Sequence, residues 1–203
     1  MQTVVRTSLK SGTPILLRPI TVDDEARLRE SIGKLSDRSR YLRFFTGVKR
    51  LPDAVVHGLA NADGHLHIAW GAMDVSGKLP QAVAAAHAIR QDEVASAELA
   101  FGVLDAYHGQ GLGRLVVTAV ILDCLHEGVE ILFADTLAEN TKARKLLRHF
   151  GASRAGGDSM VHRYRLDLGE ALDRIHGMET PKALPTLVST LSGQSDRNAG
   201  WAA

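Results

Sequence analysis

Residues 96–114 read SAELAFGVLDAYHGQGLGR, and the order of events along them decides the fold. SAELAFGVL has the composition and length of a strand. DAYHGQGLG then supplies turn residues and glycines. From about Gly111 to Glu127 follows a helix that is apolar nearly all round: Leu112, Leu115, Val116, Val117, Ala119, Val120, Ile121, Leu122 and Leu125. Such a helix is expected to be largely buried, and Gly128 stands where a C-terminal stop belongs. Strand, glycine turn and helix N-terminus together can wrap an anion, because successive amides point at it and the helix dipole favours negative charge. Glycine serves because a Cβ would hold a phosphate away from those amides. The plain alternative is a tight turn with no ligand. No Gly-Lys-Ser/Thr follows, so this is not a Walker loop. A dinucleotide fingerprint needs a parallel βαβ unit near the N-terminus, whereas this loop follows several strands of an apparently antiparallel run.

Upstream, HLHIAWGAMDV (from His65) and QAVAAAHAIR (from Gln81) are strand-like and flank the turn-forming SGKLP, which makes a hairpin the simple reading. PILLRPI (14–20) is a shorter strand, after which Thr21 can cap a helix bearing Val22, Ala26 and Leu28. The basic stretch from Lys34 to Arg50 holds a helix capped by Ser36 or Asp37, with Tyr41, Phe44 and Phe45 expected on its core face. Pro52 opens another helix through Leu59. Downstream, EILFADTL is a strand, ENTKARKLLRHFGA a helix ended by Gly151, and MVHRYRLDL a half-buried strand. The pattern fades after Leu172. The expected organisation is one domain over 1–176 and a tail over 177–203, disordered or docked on a partner, which leaves room for a homodimer.

The 203 residues carry 24 Lys and Arg against 23 Asp and Glu, a net charge of +1, with 45% hydrophobic and 5% aromatic residues. That balance argues against a nucleic-acid binder. One cysteine, Cys124, removes disulfide frameworks and cysteine-based zinc sites, and no metal is expected. No apolar run reaches the ~18 residues of a membrane span. The opening MQTVVRTSLKSG lacks the apolar core of a secretory signal, so a cytoplasmic location is expected.

His108-Gly109-Gln110-Gly111-Leu112-Gly113, with Asn140 and Ala143 one strand later, resembles the GNAT superfamily of acyl-CoA-dependent N-acyltransferases. The family pattern begins with Gln or Arg where this chain has His108. LRPIT (from Leu17) and LSDRSRYLRFF (35–45) look narrowly like the GNAT domains of bacterial protein-lysine acetyltransferases. The resemblance implies an α/β (α+β) fold with a mixed, mostly antiparallel sheet, a V-shaped splay, and helices on both faces. It implies acetyl-CoA as co-substrate, bound by main-chain groups of Val103, by the loop from His108 and Gly109 through Gln110, Gly111, Leu112 and Gly113 to Arg114, and by Asn140. Lys142, Arg144, Lys145 and Arg148 either meet the 3′-phosphate or form a solvated face.

Amide formation needs a neutral amine, and at a pKa of ~10.4 deprotonation at pH 7 costs about 4–5 kcal/mol. A general base is therefore the main requirement. Glu98, on the strand that leads to the loop, is the first candidate, against the alternative of a rim carboxylate paired with Lys or Arg. Glu93, His87 and His108 compete. Many family members place a Tyr acid where this chain has Leu147. Cys124 is expected to be structural. The cluster of Arg38, Arg40, Arg43, Lys49 and Arg50 either guides an acidic partner or is solvated surface. The reading is direct acetyl transfer to a primary amine, with protein lysine slightly favoured over a small amine. The alternative is a non-catalytic acyl-CoA-binding or sensing module.

Overall fold

The computed structural model describes residues 3–90 and 95–198. Eight strands form one sheet: β1 (Val5–Ser8), β2 (Pro14–Pro19), β3 (His67–Asp74), β4 (Gln81–Arg90), β5 (Ser96–Val103), β6 (Ile131–Leu137), β7 (Ser153–Gly157) and β8 (Val161–Asp167). Their order is β1-β2-β3-β4-β5-β6-β8-β7. All neighbours are antiparallel except β5 and β6. That parallel pair is short. It joins Ser96 to Ile131, Ala97 to Leu132 and Glu98 to Phe133, and then stops. β5 runs on to Val103 and β6 to Leu137, so the two diverge into a V whose inner backbone groups have no strand opposite. The expected mixed, splayed sheet is what the chain forms.

Helices cover both faces. α1 (Glu25–Lys34), α2 (Asp37–Phe44) and α3 (Asp53–Ala60) lie before β3 in the chain. Leu28, Val56 and Ala60 from this group close a small core with Ile20, Leu51 and Ala69. On the other face α4 (Leu112–His126) is the centrepiece, with Leu115, Val116, Val117, Val120 and Ile121 fully buried. The alanines of β4 explain how it fits. Ala84, Ala86 and Ala88 offer only methyl groups to the same core, so a bulky aliphatic helix can approach the sheet closely. α5 (Thr141–His149), α6 (Leu168–His176) and α7 (Leu184–Asn198) complete the chain. Asp167 caps α6 by accepting from the amides of Gly169 and Glu170.

The described part of the segment after Gly177 differs in one respect from the tail expected over 177–203. Ala183, Leu184 and Leu187 are buried in the same core as α4, so this part docks on its own chain. Among the described residues no helix is long and apolar enough to cross a membrane.

Candidate active site

The loop between β5 and α4 takes its shape from two glycines with positive φ, Gly109 at 75° and Gly111 at 90°. The amides of Arg114 and Leu115 both donate to the Gly111 carbonyl, which leaves those of Gly109, Gln110, Gly111, Leu112 and Gly113 without an acceptor among the described residues. A run of free N–H groups at a helix N-terminus is suited to a pyrophosphate. Arg114 departs from its expected role: its amide is used within the loop, and its guanidinium donates to the Thr180 carbonyl (3.0 Å) and hydroxyl (3.1 Å). Gln110 turns away too, its Oε1 accepting from Ser11 Oγ at 2.7 Å. Behind the loop, a Cβ on Gly111 would stand 2.9 Å from Pro181 Cβ, and one on Gly113 3.2 Å from Leu146 Cδ2.

The splay, the loop, α5 and α2 enclose a groove of about 850 Å³. Glu98, Val103, His108, Gly109, Gly111, Leu112, Gly113, Arg114 and Asn140 all line it. His108 lies across it. Its Nδ1 accepts from the Lys142 ammonium (3.0 Å), which can only donate, so the proton on Nε2 goes to the Val103 carbonyl at 3.0 Å. The carbonyl expected to meet pantetheine thus already has a partner, and Lys142 faces the groove rather than solvent alone. Asn140 caps α5, its Oδ1 accepting from Ala143 N at 3.1 Å. Arg144 is structural, bonded to the Ala138 carbonyl and the Tyr164 hydroxyl. The buried Thr136 hydroxyl, without a hydrogen-bond partner among the described residues, also belongs to a residue lining the groove. Free amides, an open cradle at Gly109 and an orphan hydroxyl fit a phosphopantetheine-type ligand.

Glu98 is the last β5 residue paired with β6 and is exposed to the groove. The rival bases fall elsewhere. His87 is 3% exposed, faces His67 (3.0 Å between ring nitrogens), and is held well below the usual histidine range by burial first and by the Arg43 charge second. Glu93 lies outside the described residues. Leu147 is fully buried and Cys124 likewise, its thiol pushed up to about 12 by burial. Tyr107, which sequence reasoning missed, lines the groove, but its hydroxyl donates to Asp74 at 2.7 Å.

On the far side of the groove α2 is clasped to the loop. Asp105 accepts from Ser36 N (3.1 Å), Ser36 Oγ (3.0 Å) and Ser39 Oγ (2.7 Å). The basic cluster separates into distinct environments. Arg40 is buried and bonds Asp37 and the carbonyls of Leu35 and Val48. Arg38 pairs with Glu139 at 2.8 Å, and Arg50 with Asp53 at 3.2 Å. Arg43 points to the groove, half-buried beside Gly102, its guanidinium pulled down to about 10 by burial against the opposing pull of Glu98. Phe45 is a correction to the expected core face: it ends α2 in the left-handed region (φ 56°), 41% exposed at the groove.

A family sequence model described as Acetyltransferase (GNAT) family matches residues 39–152, more than half of the chain. The acetyltransferase Pat of Mycolicibacterium smegmatis is 29% identical over 151 residues, which are 74% of this chain and 44% of that protein, so the chain spans less than half of that relative. The acetyltransferase PA5475 of Pseudomonas aeruginosa is 27% identical over 164 residues, 78% of this chain and 88% of its own. The crystal structure of the GNAT domain of S. lividans PAT superposes with a TM-score of 0.73 at 26% identity, covering 81% of this chain and 96% of that one. The splayed sheet, the glycine loop and these likenesses agree: the chain belongs to the GNAT family of acetyltransferases.

Proposed function

We propose that the chain transfers an acetyl group from acetyl-CoA directly to a primary amine, with Glu98 as general base and protein lysine favoured over small amines. The observation that carries this reading is the opening of β5 from β6 immediately after Glu98, with the glycine loop at its far end. A ligand lying in the V would have its pyrophosphate on the amides of residues 109–113 and its reactive end toward Glu98. The amine nitrogen attacks the thioester carbonyl carbon as the Glu98 carboxylate takes its proton. The C–N bond forms, the C–S bond breaks, and the electron pair leaves on sulfur. Leu147 can offer no proton to that sulfur and Tyr107 is tied to Asp74, so CoA departs as a thiolate. Support for lysine comes from the narrow likeness of residues 35–45 to the GNAT domains of bacterial protein-lysine acetyltransferases.

Free-thiol release from acetyl-CoA, with a lysine-rich protein mixture and a panel of small amines as acceptors, tests this. Glu98→Gln should lower acceptor-dependent release by about a hundredfold, within the usual range for loss of a general base, with acetyl-CoA affinity unchanged. Acetyl-CoA binding without acceptor-dependent release would favour the non-catalytic binding module. No binding would remove both readings.

A further inference from the structure

The acceptor half of the groove, built by α2, β5, β6 and the turn between β6 and α5, is lined by five charged side chains: Arg38, Arg43, Glu98, Asp135 and Glu139. Three are spoken for. Arg38 pairs with Glu139 at 2.8 Å. Asp135 accepts a two-pronged contact from Arg163, at 2.9 and 2.8 Å. Glu98 and Arg43 are left, and among the described residues neither makes a hydrogen bond or an ion pair. Arg43 has the ring of its neighbour Phe44, 4.8 Å from the guanidinium carbon, and the bare Gly102 beside its stem, neither of which supplies an acceptor side chain. They feel each other's charge, but they do not join.

Such an arrangement has a chemical complement. A half-buried guanidinium with its donors unsatisfied is costly unless something supplies acceptors. Its planar fork suits a carboxylate, which it can hold through two charge-assisted bonds. Held apart from Arg43, Glu98 remains free to receive an amine. We infer that Arg43 is a carboxylate subsite, so that the groove selects acceptors carrying a carboxylate near the reacting amine. This deepens the proposed function and rests on it. The carboxylate can come from two sources, the α-carboxylate of a free amino acid or an acidic side chain flanking a lysine in a polypeptide.

Two matched acceptor pairs distinguish the sources: free lysine against cadaverine, and a lysine hexapeptide with flanking glutamates against the same peptide with glutamines. For each, kcat/KM is measured with acetyl-CoA, and Kd on the CoA-loaded full chain. The wild type should prefer the carboxylate-bearing member of at least one pair by about tenfold or more, the scale of a charge-assisted contact. Arg43→Gln should bring that ratio to within about twofold, and Arg43→Lys should restore part of it. Acetyl-CoA affinity and thermal unfolding of both variants establish that the fold and donor site survive. A preference in the first pair alone assigns the carboxylate to a free amino acid, and in the second alone to a flanking residue. No preference in either pair, or one that Arg43→Gln leaves intact, overturns the subsite. A preference in Kd without turnover refutes the transferase reading instead.

Discussion

The three glycines of the loop should differ sharply in what they tolerate, because each has a different reason to lack a side chain. Gly109 has φ 75° but open space around it, so Gly109→Ala incurs backbone strain alone, about 1–2 kcal/mol for an L-residue in the left-handed region. Gly111 has φ 90° and also meets Pro181, with Cβ–Cβ at 2.9 Å and Cγ at 3.2 Å. Overpacking adds about 1–3 kcal/mol, so Gly111→Ala should cost about 2–5 kcal/mol in all. Gly113 is helical, and its Cβ would crowd the tip of Leu146 at 3.2 Å and make an ordinary contact with Val103 Cγ2 at 3.7 Å. There the gain of about 1 kcal/mol in helix propensity offsets the crowding, and Gly113→Ala should lie within about 1 kcal/mol of wild type. At about 2–4 °C per kcal/mol for a chain of this size, thermal unfolding by circular dichroism resolves the series. The clash is isolated by a double-mutant cycle with Pro181→Gly, which should recover about 1–2 kcal/mol of the Gly111→Ala loss and none of the Gly109→Ala loss. Acetyl-CoA titration should show weakened binding for both positive-φ variants, since each moves an amide of the cradle. Equal costs at 109 and 111, with no coupling to Pro181, would refute the argument that the C-terminal segment braces the loop.

Asp24 anchors the start of α1, accepting two bonds of 2.6 Å from Arg18 and one of 3.0 Å from the Thr21 amide. Asp24→Asn should destabilise by about 3 kcal/mol, as for a broken buried pair, read from urea unfolding at neutral pH. Burial raises the Asp24 carboxyl, but Arg18, Thr21 and Arg27 together outweigh it and the net shift is downward. Its contribution is therefore complete above the ordinary aspartate range of about 4 and fades as pH falls through the lowered folded value, so the gap to Asp24→Asn should narrow on acidification. Cys124, buried in α4 with its thiol pushed up to about 12, should resist an aromatic disulfide reagent in the folded protein and react once on denaturation, and Cys124→Ala should leave acceptor-dependent release intact.

Elements with a strong period or a strong punctuator were legible in the residues themselves. The apolar run of α4, the alternation of β8 and the capping signals at Ser36 and Pro52 each gave boundaries within a residue or two of those observed. What escaped had neither. β7 is SRAGG with every residue exposed, and β1 is four residues long, so no alternation exists to be read. The first part of α7 buries Leu184 and Leu187, and two leucines three apart among Pro, Ser and Thr do not announce a helix. That omission reached the site, because Thr180 and Pro181, which hold Arg114 and Gly111, belong to the segment leading into it.

Charge was the least legible property, and Arg43 shows why. Arg38, Arg40 and Arg43 lie within six positions on one two-turn helix, and the sequence offers no ground for treating them differently. Their fates are decided by what other elements bring: β6 is followed by Glu139 for Arg38, and the chain after α2 returns the Val48 carbonyl to Arg40. β5 offers Arg43 only the bare backbone of Gly102, with Glu98 four residues earlier on the same strand and out of bonding reach. A larger residue at 102 would crowd the guanidinium's stem, since a Cβ there already stands 3.7 Å from Arg43 Cδ. Gly102→Val should therefore push Arg43 out of its seat without touching Glu98. If Arg43 holds a carboxylate, that substitution lowers kcat/KM for carboxylate-bearing acceptors more than for their neutral counterparts; an equal loss for both would mean that the residue serves the strand and not the acceptor.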